Sequence, residues 1–243
     1  SYPEENIRIL TPEQCEEITE DGLYTCMIRN PHPQPGRLTH GREDTCFLRD
    51  SSGTEGKMRR TPMTKEEVRE VSICKLHLTE RSVVYDIGSG TGSVAVEIAG
   101  LSGQLQVYAI ERKPEAVELL RKNREHFRMD NMEIIEAPAP EGLEELPVPT
   151  HAFIGGSGGR LLDILQVLYR KNPHMRIVIN AISMETIAEF KDVLDTFPVE
   201  EEEILQMQVS RVKKLGDYHL PQAENPVWIC SFTFREIGTD PMD

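Results

Sequence analysis

The densest chemical signal in the chain is Asp86-Ile87-Gly88-Ser89-Gly90-Thr91-Gly92, which follows the apolar run Val83-Val84-Tyr85 and precedes a helical pattern from Val94 to Ala99. Glycines at 88, 90 and 92 let the backbone turn sharply and approach a ligand with no Cβ in the way. At the carboxyl end of the first strand of a doubly wound sheet, that is where a nucleotide-like cofactor lies. A nicotinamide fingerprint needs glycine where Ser93 stands, and a phosphate-binding P-loop needs a Gly-Lys-Ser/Thr ending that is absent here. The second strand ends Ala109-Ile110-Glu111, placing a carboxylate where it can accept both ribose hydroxyl hydrogen bonds. A second loop, Gly155-Gly156-Ser157-Gly158-Gly159-Arg160, follows Phe153-Ile154. It is nearly all backbone, so it offers N–H donors to an anion, room for a bulky ring, or only a flexible turn. Asn180, ending Val178-Ile179-Asn180, either faces the same crevice or caps the next helix. No Ser-His-Asp set, paired carboxylates or His-Glu-x-x-His motif stands out, and His77, His126, His151, His174 and His219 read as surface or core residues.

These residues need a scaffold, and the pattern after residue 62 supplies one. Thr64-Lys65-Glu66-Glu67 has the form of a capping box opening a helix with Val68, Val71 and Leu76 inward. Strands are expected at 83–86, 106–110, 132–135, 152–154 and 176–180, with helices at 94–99, 114–127, 161–169 and 184–197. Strands alternating with helices at this spacing imply an α/β fold, a mostly parallel sheet covered on both faces. Ile204 to Ser210 and Val227 to Phe234 follow without an intervening helix and are expected to pair antiparallel at one edge. Residues 31–57, rich in Pro and Gly, read as linker or ordered loop. Before them, Ile7 to Leu10 and Tyr24 to Ile28 look like strands and Thr11-Pro12-Glu13-Gln14 like a helix start, too few elements for a core.

Composition narrows the class. The chain has 243 residues, 38% hydrophobic and 28% charged, which excludes collagen-like and wholly disordered chains. No apolar run approaches the ~20 residues of a membrane span. No basic, then apolar, leader opens the chain, so a cytoplasmic address and no membrane partner are expected. The 27 basic and 41 acidic residues leave a net charge of −14, which argues against nucleic acid as a partner. The five cysteines are scattered without metal-ligand spacing, so no metal is expected and the thiols read as reduced and mostly structural.

A glycine loop of the form G-x-G-x-G preceded by an acid is the pattern of S-adenosyl-L-methionine-dependent methyltransferases. Five segments then occur in chain order: Pro62-Met63-Thr64-Lys65-Glu66-Glu67-Val68-Arg69, Asp86 to Gly92, Ile154 to Gly159, Asn180-Ala181 and Asn225-Pro226-Val227. Over residues 58 to 235 the chain closely resembles the CbiT-type methyltransferase domain of corrin (vitamin B12) biosynthesis, also the C-terminal half of precorrin-6Y C5,15-methyltransferase (decarboxylating). The resemblance implies a Rossmann-like class I methyltransferase with a seven-stranded, mostly parallel sheet. It implies methyl transfer from S-adenosyl-L-methionine to C15 of a precorrin, coupled to loss of carbon dioxide from the C12 acetate. Thr64, Gly88, Ser89, Gly90, Thr91, Gly92, Glu111 and Ala139 would then form the cofactor site. Relatives often carry Asp where Pro138 stands, so here the contact to the adenine amine is left to backbone. Such domains suggest a homo-oligomer, a tetramer. Residues 1–30 would be the tail of a preceding CbiE-like domain, 31–57 a linker and 58–243 the methyltransferase domain.

The implied substrate carries acetates and propionates, which a chain at −14 should repel unless charge is segregated. Residues 57–75 hold six basic against three acidic residues, a local excess of +3. Arg59, Arg60 and Arg160 are therefore candidate grips for substrate carboxylates, with Gly155 to Gly159 and Asn180 admitting the ring.

Overall fold

The computed structural model describes residues 7–15, 17, 19, 25–29, 39–52 and 58–236. It divides into two compact units, residues 1–38 and 39–243. In the first, the described residues hold one short helix, α1 (Pro12–Cys15), with the Thr11 N–H donating to Gln14 Oε1 at 2.9 Å. Of the strands expected at 7–10 and 24–28, the described residues, 7–10 and 25–28, form neither. Ile7, Ile9, Met27 and Ile28 are exposed, so these segments bury no apolar face of the kind that holds a strand in a sheet. Tyr24, Asn30 and residues 31–38 lie outside the described residues.

The second unit begins with a short antiparallel pair, β1 (Asp50–Ser52) and β2 (Met58–Arg60). There follow α2 (Glu66–Leu76), β3 (Val83–Ile87), α3 (Ser93–Ala99), β4 (Gln106–Glu111), α4 (Pro114–Phe127), β5 (Met132–Glu136), β6 (His151–Ile154), α5 (Leu161–Lys171), β7 (Arg176–Ala181) and α6 (Met184–Thr196). The chain continues with β8 (Val199–Met207), β9 (Ser210–Leu215), β10 (Tyr218–Ala223) and β11 (Val227–Phe234). Seven strands make one sheet in the order β5-β4-β3-β6-β7-β11-β8, as the alternation of strands and helices implied. The first five are parallel, and β11 runs antiparallel between β7 and β8. Order runs outward from β3 in both directions, so the crevice at the carboxyl ends of β3 and β6 is the topological switch point.

Period-two alternation sorts the core into two layers. Val84, Val107, Phe153, Val178 and Ile229 meet Ile73, Leu76, Val94, Ile98 and Leu120 on one face. Tyr85, Ile87, Ile177, Ile179 and Phe232 meet Ile164, Leu165, Leu168, Phe190 and Val193 on the other. Each such side chain contributes on the order of 1.5–3 kcal/mol by leaving water.

Three local readings are corrected. The cap of α2 is not the Thr64 box: the helix starts at Glu66, Lys65 offers no side-chain cap, and Asp44 Oδ1 accepts the Glu66 N–H at 3.0 Å. That contact is possible because the segment before β1, within the stretch read as linker or ordered loop, is ordered against the rest of the unit, with Phe47 buried and the Leu48 N–H donating to Asn123 Oδ1 at 2.9 Å. The strand expected at 204–210 runs instead from Val199 to Met207. The acidic run Glu200 to Glu203 sits on it because β8 is the sheet edge, where charge meets water and discourages further pairing. Between β8 and β11 stands a hairpin, β9–β10, exposing Val212, Leu215, Tyr218 and Leu220. Lys213-Lys214 and Pro221 interrupt its alternation, which hid it in the sequence. The cysteines also sort differently from the expectation: all five are unpaired, but only Cys230 is buried, which pushes its thiol up to about 12. Among the described residues no helix is long and apolar enough to cross a membrane.

His151 opens β6 with Nδ1 2.7 Å from Thr150 Oγ1. Burial, then the charges of Arg176 and His77, hold its imidazole down at about 4. An unfolded His titrates near 6.5, so the folded state favours the neutral ring, and that contribution disappears as pH falls from about 6.5 toward 4. His151→Gln should therefore lose less thermal stability than the parent between about pH 7 and pH 5. Parallel melting curves across that range would remove His151 as an acid-sensitive group.

Candidate active site

The loop after β3 is pinned from both sides. The Gly88 and Ser89 N–H groups donate to Ile110 O at 3.0 and 3.1 Å, and the Gly155 N–H donates to Ile87 O at 2.9 Å. Gly88 has φ +73°, and a Cβ built there would lie 2.5 Å from Gly156 O, so the two glycine loops meet backbone to backbone. Gly90 has φ +58°, and its Cβ would lie 3.3 Å from Pro62 O, so the segment leading into α2 leans on the same loop. These three segments enclose a cavity of about 740 Å³, within the range of small-molecule sites.

The expected site residues divide. Thr64, Gly88, Ser89, Gly90, Glu111 and Ala139 line the cavity, and on its other side so do Gly155, Gly156, Ser157, Gly158, Arg160 and Asn180. Thr91, Gly92 and Gly159 do not. Thr91 is buried behind the loop, its carbonyl accepting from Asn123 Nδ2 at 2.8 Å, and Gly92 faces Leu120. The side chains of Arg59 and Arg60 lie outside the described residues. Asn180 turns its amide to Ser72 Oγ on α2, at 2.9 and 3.1 Å, and the helix cap is Ser183 instead, accepting from the Thr186 N–H. No histidine lines the cavity among the described residues, and none of their side chains form a metal-binding cluster.

Two carboxylates form the polar floor. Asp86 Oδ2 accepts the Ser89 hydroxyl at 2.6 Å and the Ala95 N–H at 3.1 Å, while buried Oδ1 has no partner. Burial pushes Asp86 up to about 7, against those two hydrogen bonds and with a smaller contribution from Glu111. Glu111 Oε1 accepts the Arg112 and Lys113 N–H groups, both at 2.9 Å, and Oε2 accepts the Gly90 N–H at 3.0 Å. A carboxylate has about four acceptor sites, so Oε2 keeps one for a ligand and can gain the other by releasing Gly90. A carboxylate with acceptor capacity left at the cavity lining suits a ligand carrying vicinal hydroxyls.

Three cations of the basic stretch are engaged internally, while the side chains of Lys57, Arg59 and Arg60 lie outside the described residues. Lys65 pairs with Asp44, buried Arg69 with Asp44 and Glu97, and Lys75 with Glu203. Arg160 is bound by Glu141 and by Asp163, which offsets the positive charge it brings to the cavity edge. Arg112 and Lys113 line the same cavity, and among the described residues no carboxylate pairs with their side chains. Nothing local in the sequence marks either as facing a site, since both sit in the short turn between β4 and α4.

Sheet order, the glycine loop after β3 and the acid ending β4 together make this the fold of S-adenosylmethionine-dependent methyltransferases. A family model described as precorrin methyltransferase domain matches residues 58–233, and the chain belongs to that family. It is 34% identical over 188 residues to the cobalt-precorrin-6B C(15)-methyltransferase (decarboxylating) of Salmonella typhimurium, covering 77% of this chain and 93% of that protein. The probable enzyme of the same name from Sulfolobus acidocaldarius is 39% identical over 171 residues, covering 69% and 88%. A crystal structure of precorrin-6Y C5,15-methyltransferase from Geobacter metallireducens superposes with a TM-score of 0.70 at 33% identity, covering 80% of this chain and 98% of that one.

Proposed function

We propose that this chain binds S-adenosyl-L-methionine and methylates a precorrin at C15 with decarboxylation of its C12 acetate. The observation that carries this reading is a single cavity with a carboxylate floor on one side and an all-backbone loop on the other. When bound, the cofactor supplies an electrophilic methyl group. Glu111 would hold the ribose hydroxyls, with Asp86 beside it in the cavity lining. Residues 155–158 present no side chain larger than Ser157, and Ile182, Met207, Val209 and Val227 give apolar walls to a flat macrocycle. Alignment of an electron-rich ring carbon with the methyl group is the main demand, and the tetrapyrrole is its own electron sink for decarboxylation, so a cavity without histidine suits the chemistry. Arg112 and Lys113 are the cations best placed for a substrate carboxylate, with Arg59 and Arg60 as further grips from their place on β2.

Incubation with precorrin and cofactor followed by mass spectrometry should show the tetrapyrrole gaining a methyl group and losing carbon dioxide. Cofactor retained without product would instead make the chain a binding module. Variants should separate the two halves of the cavity. Glu111→Ala should weaken cofactor binding by about 1–3 kcal/mol in calorimetry, the scale of charge-assisted hydrogen bonds. Arg112→Ala should leave that affinity within about twofold while raising the precorrin KM and flattening its salt dependence. If Arg112→Ala weakens the cofactor instead, its guanidinium belongs to the cofactor half. The reading includes a homo-oligomer, supported by the apolar side chains exposed on β9–β10, and sedimentation velocity returning the mass of one chain would refute it.

A further inference from the structure

The cavity wall at Thr61 to Lys65 has no regular structure of its own, yet it carries Thr64 and presses Pro62 O toward Gly90. Beside it lies a buried charge cluster assembled from three separate segments. Glu97 of α3 is fully buried and accepts the Gly41 and Arg42 N–H groups at 2.8 and 3.0 Å and Arg42 Nη1 at 3.1 Å. Arg69 of α2 is also fully buried, its Nε 3.5 Å from Glu97 Oε2 and its guanidinium 4.9 Å from the Phe47 ring centroid. The same guanidinium donates to Thr64 O at 2.9 Å, to Arg42 O and to Asp44 Oδ1 at 3.4 Å. Asp44 closes the circuit: Oδ1 caps the Glu66 N–H and Oδ2 sits 3.0 Å from Lys65 Nζ.

We propose that Asp44, Arg69 and Glu97 are positioning residues for the cofactor site, clipping residues 40–47 onto the domain so that the Thr61–Lys65 wall is held against the glycine loop. Residues 40–47 lie outside the stretch matched by the family model, 58–233, so nothing in the match assigns them a role. Burying a guanidinium and a carboxylate is unfavourable unless they are compensated; Arg69 Nε has no hydrogen bond, and Nη1 and Nη2 instead hold backbone carbonyls of the wall and the clip. Helix α2 begins where Asp44 caps it, which sets where the preceding residues enter the cavity. Without the clip, Thr61 and Pro62 would lose their place against Gly90 and Thr64 its place in the cavity lining, and misplacement of about 1 Å is enough to weaken a built site.

This inference rests on the cofactor reading above, and calorimetry with S-adenosyl-L-methionine alone tests it without any tetrapyrrole. Parent protein that binds no cofactor would sink the cofactor reading. With the parent binding, Asp44→Ala should bind about tenfold more weakly, while Asp44→Asn, which keeps an acceptor for the Glu66 N–H, should stay within about threefold. Thermal melts run alongside establish that each variant is folded at the assay temperature, so a merely structural role would lower the melting temperature and leave affinity in the folded protein unchanged. Affinity of folded Asp44→Ala within about twofold of the parent overturns the proposal. Should Asp44→Ala not fold, Arg69→Lys carries the test. It keeps the buried charge but cannot span Thr64 O and Arg42 O together, and the same about tenfold loss is expected, with an affinity within about twofold of the parent overturning the proposal.

Discussion

The carbonyl oxygen of Gly156 lies 2.5 Å from where a side chain on Gly88 would begin, so the loops after β3 and β6 can meet only as bare backbone. Much of the site follows from that approach. It brings the carboxyl ends of the two central strands together at the point where strand order reverses. It leaves N–H groups and glycine surfaces, with no bulk, on one side of the cavity. It also sets the depth of the cavity, because Glu111 ends β4 one strand away and reaches back to the Gly90 N–H. A side chain at 88 would push the loops apart and strain a backbone already at φ +73°, a region L residues rarely adopt.

Around this contact lie three buried carboxylates, and each is accommodated by different physics. Asp86 is desolvated enough that its proton is held up to about neutral pH, with one oxygen committed to Ser89 and Ala95 and the other buried without a partner. Glu111 is caged by three backbone N–H groups, which orient it toward the cavity. Glu97 faces away from the cavity and is neutralised by Arg69 and Arg42. The first two make a polar floor and the third organises the wall, so a chain with a net charge of −14 keeps acids inside without their simply repelling one another. Its cations are distributed accordingly: Arg69 and Arg176 serve the interior, and Arg112 and Lys113 are left for the cavity mouth.

Much of the fold was legible because its signals are local. Val83 to Ile87 is a buried strand because β-branched side chains alternate across two covered faces, and the helix beginning at Pro114 announces itself by proline at its first position. The glycine loop was legible for the same reason, since the need for positive φ is written into single residues. The isolated acid in Val94-Ala95-Val96-Glu97-Ile98-Ala99 was a visible anomaly, a carboxylate on an otherwise apolar helix, but nothing nearby in sequence names its partners.

What the sequence alone determined, then, is the succession of strands and helices, the two glycine loops and the acid at 111, each encoded within a few residues by steric and hydrophobic periodicity. The tertiary structure alone decided which of those residues face the cavity: Thr91, Gly92 and Gly159 turned out not to, while Arg112 and Lys113 did. It also decided that Asp44 caps a helix 22 residues downstream, that Glu97 binds Gly41 across 56 residues, and that Asn180 is held by Ser72 across 108. The physical reason is that hydrogen bonds and ion pairs between distant segments exist only after the sheet has brought those segments together, so they leave no periodic trace in the chain.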